Sequence, residues 1–309
     1  MRIAIFGAGA VGGYFGGRLA EAGVEVAFVA RGRHLAAMRA GGLRVDSLLG
    51  DLALPEVTAT ADPSQLGIAD VVLVCVKAWQ VPEVASALLP LFGEDTFVVP
   101  LQNGVEAAGQ LEQILGRGRV VGGLCGLVSY LEGPGHVRHV GATPFIRFGE
   151  LDRSRSARVD RLYEVFAGAK GLEVEVPADI HVAIWQKFLL IAAWSGVGAV
   201  TRASIGVIRS LPETREMLEQ AMQEVFDLAH ARGIALPATT IETAFGFFDD
   251  LPAASTASMQ RDALAGRPSE LESQNGAVVR LGAEVGVATP LNHFLYASLL
   301  PSERGVRGV

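Results

Sequence analysis

The chain has 309 residues, with 26 Lys plus Arg against 33 Asp plus Glu and a formal charge of −7. A mildly acidic chain with no long like-charge run argues against nucleic acid as the main partner. This length predicts two domains or one large one, burying roughly 75% of the extended surface, so no disulfide or metal staple is needed.

The first half alternates short apolar runs with helical stretches. Strands are expected at Arg2–Phe6, Glu25–Ala30, Val71–Val76, Thr96–Pro100 and Arg119–Val128. Near-continuous apolar runs of this kind suit strands buried on both faces of a parallel sheet, and the helices between them give the βαβ pattern. His136–Val140, Pro144–Gly149 and Leu172–Val176 read as edge or antiparallel additions. After Pro177 strand signals vanish. Helices are expected over Ala178–Trp194, from Pro212 to a stop at Gly233, and over Ala238–Asp249, Ala254–Ala265, Glu270–Val285 and Pro290–Leu300, the last capped by Thr289. The tail Pro301–Val309 is expected to fray. The reading is therefore an α/β Rossmann-like domain over 1–177 and an all-α domain over 178–309.

Cys75 and Cys125 lie in apolar runs and read as buried thiols in a reducing cytoplasm. The most apolar stretch, Phe188–Val200, is shorter than the roughly 20 residues that span a bilayer. No secretory signal is read before the glycine motif. The expectation is a cytoplasmic protein with no membrane partner. His136 and His139, three apart in a strand, point to opposite faces, so no metal site is expected.

Gly7-Ala-Gly9-Ala10-Val11-Gly12 follows a strand and opens a helix. In that context it reads as a dinucleotide turn. Gly7 permits the tight bend, Gly9 lets backbone approach a pyrophosphate, and Gly12 lets helix and strand pack closely. The exposed N–H groups of the turn and helix start would hold the anion. The next strand ends at Ala30-Arg31-Gly32-Arg33, where an NAD-binding chain would carry Asp or Glu for the ribose hydroxyl. Guanidinium groups there suit a 2′-phosphate and hence NADPH; solvated arginines in a turn are the alternative. Lys77 and Asn103-Gly104 follow two further strands, on the sheet edge where ligands bind. Ordinary turn chemistry is the alternative for each.

Lys187 sits in the apolar helix Ile184–Trp194. Such a lysine either snorkels to the surface or faces a cleft, where desolvation suits it to proton transfer. Ile191 and Ser195 lie one and two turns further along the same face. Ser258, Asp262 and Glu270 supply a hydroxyl and carboxylates from a distant segment that otherwise reads as a solvated face.

The chain resembles the ketopantoate reductase family over essentially its full length. The matching pieces are the glycine motif, Arg31, Val76-Lys77-Ala78-Trp79-Gln80, Gln102-Asn103-Gly104, Trp185-Gln186-Lys187, and Ser258-Met259 followed by Asp262 and Glu270. The resemblance implies NADPH in a cleft between a Rossmann-like and a helical domain, and reduction of a 2-oxo acid to a 2-hydroxy acid. It points to ketopantoate and pantothenate biosynthesis. It implies Lys187 as general acid, Glu270 and Ser258 as substrate contacts, and Asn103 at the active site. It gives Arg31 and Lys77 as cofactor contacts, with Asn103 and Glu270 near the cofactor as well. The helical half would bind substrate and form any homodimer. One departure stands out: family members carry asparagines at the positions of Ile191 and Ser195. The alternatives to ketopantoate reduction are reduction of another small carbonyl compound on the same scaffold, or a catalytically silent NADPH sensor.

Overall fold

The computed structural model describes residues 1–308. The chain separates into two compact units, Met1–Gln102 with Glu106–Ile180, and Asn103–Val105 with His181–Val309. The division falls at Ile180 rather than Pro177, and the loop Asn103–Val105 groups with the helices.

The first unit runs β1 (Arg2–Phe6), α1 (Ala10–Glu21), β2 (Glu25–Val29), α2 (Gly32–Gly41), β3 (Leu43–Ser47), β4 (Leu52–Leu54), β5 (Thr58–Thr60), β6 (Ala69–Val74), α3 (Val81–Ala85), β7 (Phe92–Pro100), α4 (Ala107–Leu115), β8 (Val121–Gly126), β9 (Ser129–Gly133), β10 (His136–His139), β11 (Phe145–Glu150), α5 (Ala157–Ala167) and β12 (Glu173–Glu175). Its main sheet has the order β5-β2-β1-β6-β7 with every pairing parallel. Alternation along β1 explains why the strand reads as wholly apolar. Ile3 and Ile5 enter one core, whereas Ala4 and Phe6 enter another with Val72, Val74 and Val98. This is a Rossmann-like α/β unit. It carries two smaller sheets, β4-β3-β10-β9 and β12-β11-β8.

The second unit is helical. It contains α6 (Ile180–Thr201, of which Ile180 belongs to the first unit), α7 (Ile205–Ser210), α8 (Pro212–Ala231), α9 (Thr240–Asp250), α10 (Ser258–Leu264), α11 (Ala277–Val285) and α12 (Pro290–Arg307). A π-helical turn, Glu272–Gly276, precedes α11. Phe188, Leu189, Ala192, Ala193 and Val197 of α6 form the centre of its core, with Leu218, Met222 and Val225 of α8 against them. At 22 residues, α6 exceeds the apolar stretch read from sequence and is long and apolar enough to cross a membrane. Burial in this core accounts for that composition.

Several boundaries differ from expectation. The strand expected at Val71–Val76 is Ala69–Val74, because its pairing with β1 ends where the chain turns off at Gly7. The helix expected over Ala254–Ala265 begins at Ser258; Ala253 and Ser255 instead offer their carbonyls to the N–H groups of Gly206 and Ile205. The tail does not fray at Pro301: α12 runs to Arg307. Strands β3, β4, β5 and β9 were not anticipated. Each is short or carries polar residues, as in LRVDS and SYLEG.

Candidate active site

At the first βα turn, Gly7 has φ +99°, the left-handed region that favours glycine. The N–H groups of Gly7 and Ala8 both donate to the Val29 carbonyl at 3.1 Å, which pins the turn onto β2. A Cβ at Gly12 would strike the Gly7 carbonyl oxygen and lie 2.7 Å from Ile5 Cγ2, so helix and strand touch there. Gly9 is different: a Cβ on it would meet no atom within 4 Å. Gly9 caps α1 with no side-chain hydrogen bond, and Ala10 and Val11 begin a first turn with no acid. Free backbone N–H groups at a helix start, with open space over Gly9, form a cradle that fits a pyrophosphate.

Arg31 is exposed at the carboxyl end of β2, as the N-cap of α2, and Gly32 and exposed Arg33 open that helix. A turn was the alternative read there, and the structure has a helix start. A helix start adds a second set of unsatisfied N–H groups beside the guanidinium. His34 lies three residues further on, partly buried in α2. Burial pushes its imidazole below the ordinary value of 6.5, partly offset by the Ala8 carbonyl of the glycine turn. Its Nδ1 accepts from the Gly135 N–H at 3.0 Å, which places the ring proton on Nε2. His34 is thus a neutral side chain whose hydrogen bond ties α2 to Gly135, with Nε2 left unpartnered among the described residues.

Lys77 follows β6 with its Nζ 5.8 Å from the Trp79 ring centroid, and its N–H donates to Gln80 Oε1 at 3.2 Å. Gln102, buried after β7, donates from Nε2 to the Val74 and Val76 carbonyls at 2.8 and 2.9 Å. That amide fixes the segment leading into Lys77. Away from this rim, Asp46, Glu132 and His136 gather with ligand atoms within 4.8 Å of one another. Arg44 and Arg138 already pair both carboxylates, so the positive charge there comes from guanidinium groups.

The helical unit joins two of the expected site residues. Asn103 Nδ2 donates to Glu270 Oε2 at 3.1 Å. The adjoining Gly104, at φ +110°, has no room for a side chain, since a Cβ would lie 2.8 Å from the Ser273 carbonyl oxygen. The 103–105 loop therefore docks on the segment that carries Glu270. Lys187, half-buried, and Ile191, half-buried, occupy successive turns of α6, followed by fully buried Ser195. Ser258 is the first residue of α10. Glu270 is 5% exposed, and a carboxylate so buried needs such polar partners. Two residues absent from the sequence reading, Glu303 and Arg307 of α12, hold Ser269 just before it. Their i, i+4 spacing was the available signal, obscured by Pro301.

The family model for ketopantoate reductase PanE/ApbA matches residues 3–153, and that for its C-terminal part matches residues 179–302. A 2-dehydropantoate 2-reductase of Mesorhizobium japonicum is 32% identical over 311 residues, covering 94% of this chain and 94% of that protein. An uncharacterized oxidoreductase of Bacillus subtilis, YkpB, is 29% identical over 300 residues, covering 97% and 98%. The crystal structure of 2-dehydropantoate 2-reductase from Geobacter metallireducens superposes with a TM-score of 0.92 at 31% identity, over 98% of this chain and 100% of that one.

Proposed function

Since the chain belongs to the ketopantoate reductase family and is an oxidoreductase, we propose that it reduces ketopantoate, or a close 2-oxo acid analogue, to the 2-hydroxy acid with NADPH. The observation that carries this reading is the Asn103–Glu270 hydrogen bond, which joins two polar residues 167 positions apart on the unit that also holds Lys187. A solvated acidic face would have no use for a buried, partnered carboxylate.

NADPH supplies the hydride when bound. The Gly7–Gly12 turn fits its pyrophosphate, and the Arg31 guanidinium with the start of α2 fits its 2′-phosphate. Lys77 stands at the sheet edge where such a cofactor extends. Hydride addition builds negative charge on the substrate carbonyl oxygen. The Lys187 ammonium, on an apolar helix, holds the proton that this oxygen takes up, a contribution of roughly 10²–10⁴-fold. Glu270 and Asn103 act together to orient the substrate, with Ser258 and Ser195 as further polar contacts. The setting is the cytoplasm and the product pantoate.

Ile191 favours a second reading, reduction of a less polar carbonyl compound by the same residues, because an alkyl side chain offers no hydrogen bond to a substrate hydroxyl. NADPH oxidation measured against a panel of 2-oxo acids separates the two. Highest kcat/KM with ketopantoate supports the first reading; highest kcat/KM with an unhydroxylated acid supports the second. No turnover with any 2-oxo acid would refute the first reading.

A further inference from the structure

We propose that Glu303, together with Arg307, is a positioning residue for Glu270, so that the last turns of α12 set the geometry of the substrate site. The proposal deepens the reading of Glu270 as a substrate contact and rests on it.

Glu270 lies between α10 and the π-helical turn, and its carbonyl accepts from the Gln274 N–H at 3.0 Å and Ser273 Oγ at 3.1 Å, so the turn holds its C-terminal side. Its N-terminal side, at Ser269, is held by side chains of α12. Glu303, 8% exposed, accepts from the Ser269 N–H with both carboxylate oxygens, at 3.0 and 3.2 Å. It also accepts from Ser269 Oγ at 2.6 Å. Arg307 closes the ring: its Nε donates to Glu303 Oε1 at 2.6 Å and its Nη2 to the Ser269 carbonyl at 2.8 Å. Both backbone polar groups of Ser269, itself 1% exposed, are therefore held by side chains of α12. On the far side, Ser269 Oγ accepts from the Leu271 N–H at 3.3 Å. Glu270 is bracketed by residues 269 and 271, and both brackets depend on the same carboxylate–hydroxyl pair.

The chemistry of this ring is demanding. A carboxylate this buried persists where it is fully hydrogen-bonded, and the two Ser269 donors and the Arg307 guanidinium meet that need. Removing one member leaves a buried charge or a buried N–H unpaired, and the Ser269–Leu271 backbone must shift to rehydrate it. Glu270 then loses its aim at Asn103 and at substrate. A displacement of about 1 Å in a positioning group costs on the order of 10²-fold in turnover. The ring holds the backbone on either side of Glu270 and lies far from the glycine turn in sequence, so the effect is expected in substrate use.

The test is a double-mutant cycle on the full-length protein with ketopantoate as substrate. Glu303→Gln is expected to lower kcat/KM for ketopantoate by roughly tenfold to a hundredfold, with the Kd for NADPH unchanged by fluorescence titration. Glu303→Asp, which keeps the charge, is expected to recover part of the loss. In a Glu270→Gln background the Glu303→Gln change is expected to have little further effect, because residues that act through one another are not additive. If Glu303→Gln does not fold, Arg307→Gln, at a less buried position, completes the same cycle. Wild-type kcat/KM in Glu303→Gln, full additivity with Glu270→Gln, or a parallel loss of NADPH binding each overturn the proposal. Wild-type kinetics in Glu270→Gln alone would instead overturn the reading of Glu270 itself, and this proposal with it.

Discussion

Asn103 donates its amide to the Glu270 carboxylate at 3.1 Å, and this bond brings the loop after β7 onto the helical unit. An ionised carboxylate only accepts, so the bond fixes which end of the Asn103 amide faces it. The carbonyl end is left to orient a second group. A short loop that looks like turn chemistry in the sequence thus becomes one wall of the proposed substrate site.

Gly9 and Gly12 separate ligand binding from folding. Gly9→Ala adds a methyl into open space, so the Tm is expected to stay within about 2 °C of wild type. NADPH affinity is expected to fall at least roughly tenfold, because the methyl occupies the approach of the pyrophosphate. Gly12→Ala overpacks against the Gly7 carbonyl and Ile5, and is expected to cost about 1–3 kcal/mol in urea unfolding. A Gly9→Ala protein that binds NADPH normally would remove the turn from the cofactor site.

Arg31 decides cofactor choice in the proposed reading. Arg31→Ala is expected to weaken NADPH binding by about 10- to 100-fold and to leave NADH binding nearly unchanged. The exposed position of Arg31 makes the effect sensitive to ionic strength. Equal wild-type affinity for the two nucleotides, measured by titration calorimetry, would rule this role out.

Burial of His34 is expected to make the stability of the chain depend on pH. Burial holds its folded-state pKa below 6.5, so between that lowered value and 6.5 the unfolded chain binds more protons than the folded one. Stability therefore rises with pH through this window and is lost as pH falls below it. The Tm is expected to decline from about pH 7.5 to about pH 5.5, and His34→Gln is expected to decline less over the same range. Asp46, held below 3.8 chiefly by the Arg44 hydrogen bond, acts in a separate and lower window. Identical pH profiles for the two proteins would show that His34 titrates as an ordinary surface group.

Much of this was legible in the sequence because the signals are local. The glycine turn needs three residues in order after a strand, and Ile3 to Phe6 betray two-sided burial by being apolar throughout. What escaped was nonlocal. The tail past Pro301 looks like a helix stop, yet Glu303 and Arg307 find Ser269 more than thirty residues earlier, and those tertiary bonds carry the helix on. Likewise β3 was missed, and β10, expected as an edge or antiparallel addition, pairs with it in parallel, His136 opposite Arg44 and Arg138 opposite Asp46. No pattern within one strand announces its partner, and the polar side chains of these two are neutralised only once Asp46 meets Arg44 and Arg138. The π-helical turn after Glu270 was read as ordinary helix, since a single turn of five residues is too short to show a period of its own.

Lys187 carries the proton in the proposed chemistry. Lys187→Met keeps the length and the apolar stem, so α6 is expected to pack as before and NADPH to bind as before. The kcat with the best 2-oxo acid is expected to fall by roughly 10²–10⁴-fold. A variant with near-native kcat would make Lys187 a snorkelling side chain and nothing more.

In the proposed reading, Ile191 and Ser195 decide which 2-oxo acid is used. A hydroxylated, anionic substrate needs polar partners, because polar groups buried without them are costly. Ile191 offers none. Ser195 offers one hydroxyl, fully buried and with no hydrogen-bond partner. Ketopantoate is therefore expected to be turned over with a higher KM than in a relative with asparagine at both positions. Ile191→Asn is expected to lower that KM by supplying an amide one turn from Lys187. The discriminating comparison is ketopantoate against 3-methyl-2-oxobutanoate, which lacks only the hydroxymethyl group. A site built to bind a hydroxyl rejects the analogue without it by roughly 10⁴-fold, whereas an alkyl-lined site discriminates far less. With Ile191 in place the wild-type ratio of kcat/KM values is expected to be well below that figure, and Ile191→Asn is expected to raise it. A wild-type ratio already near 10⁴ would mean that other groups of the helical unit, such as Ser255, Thr256 or Ser258, bind the hydroxyl and that position 191 is irrelevant to it. A ratio below one would assign the protein to a less polar substrate.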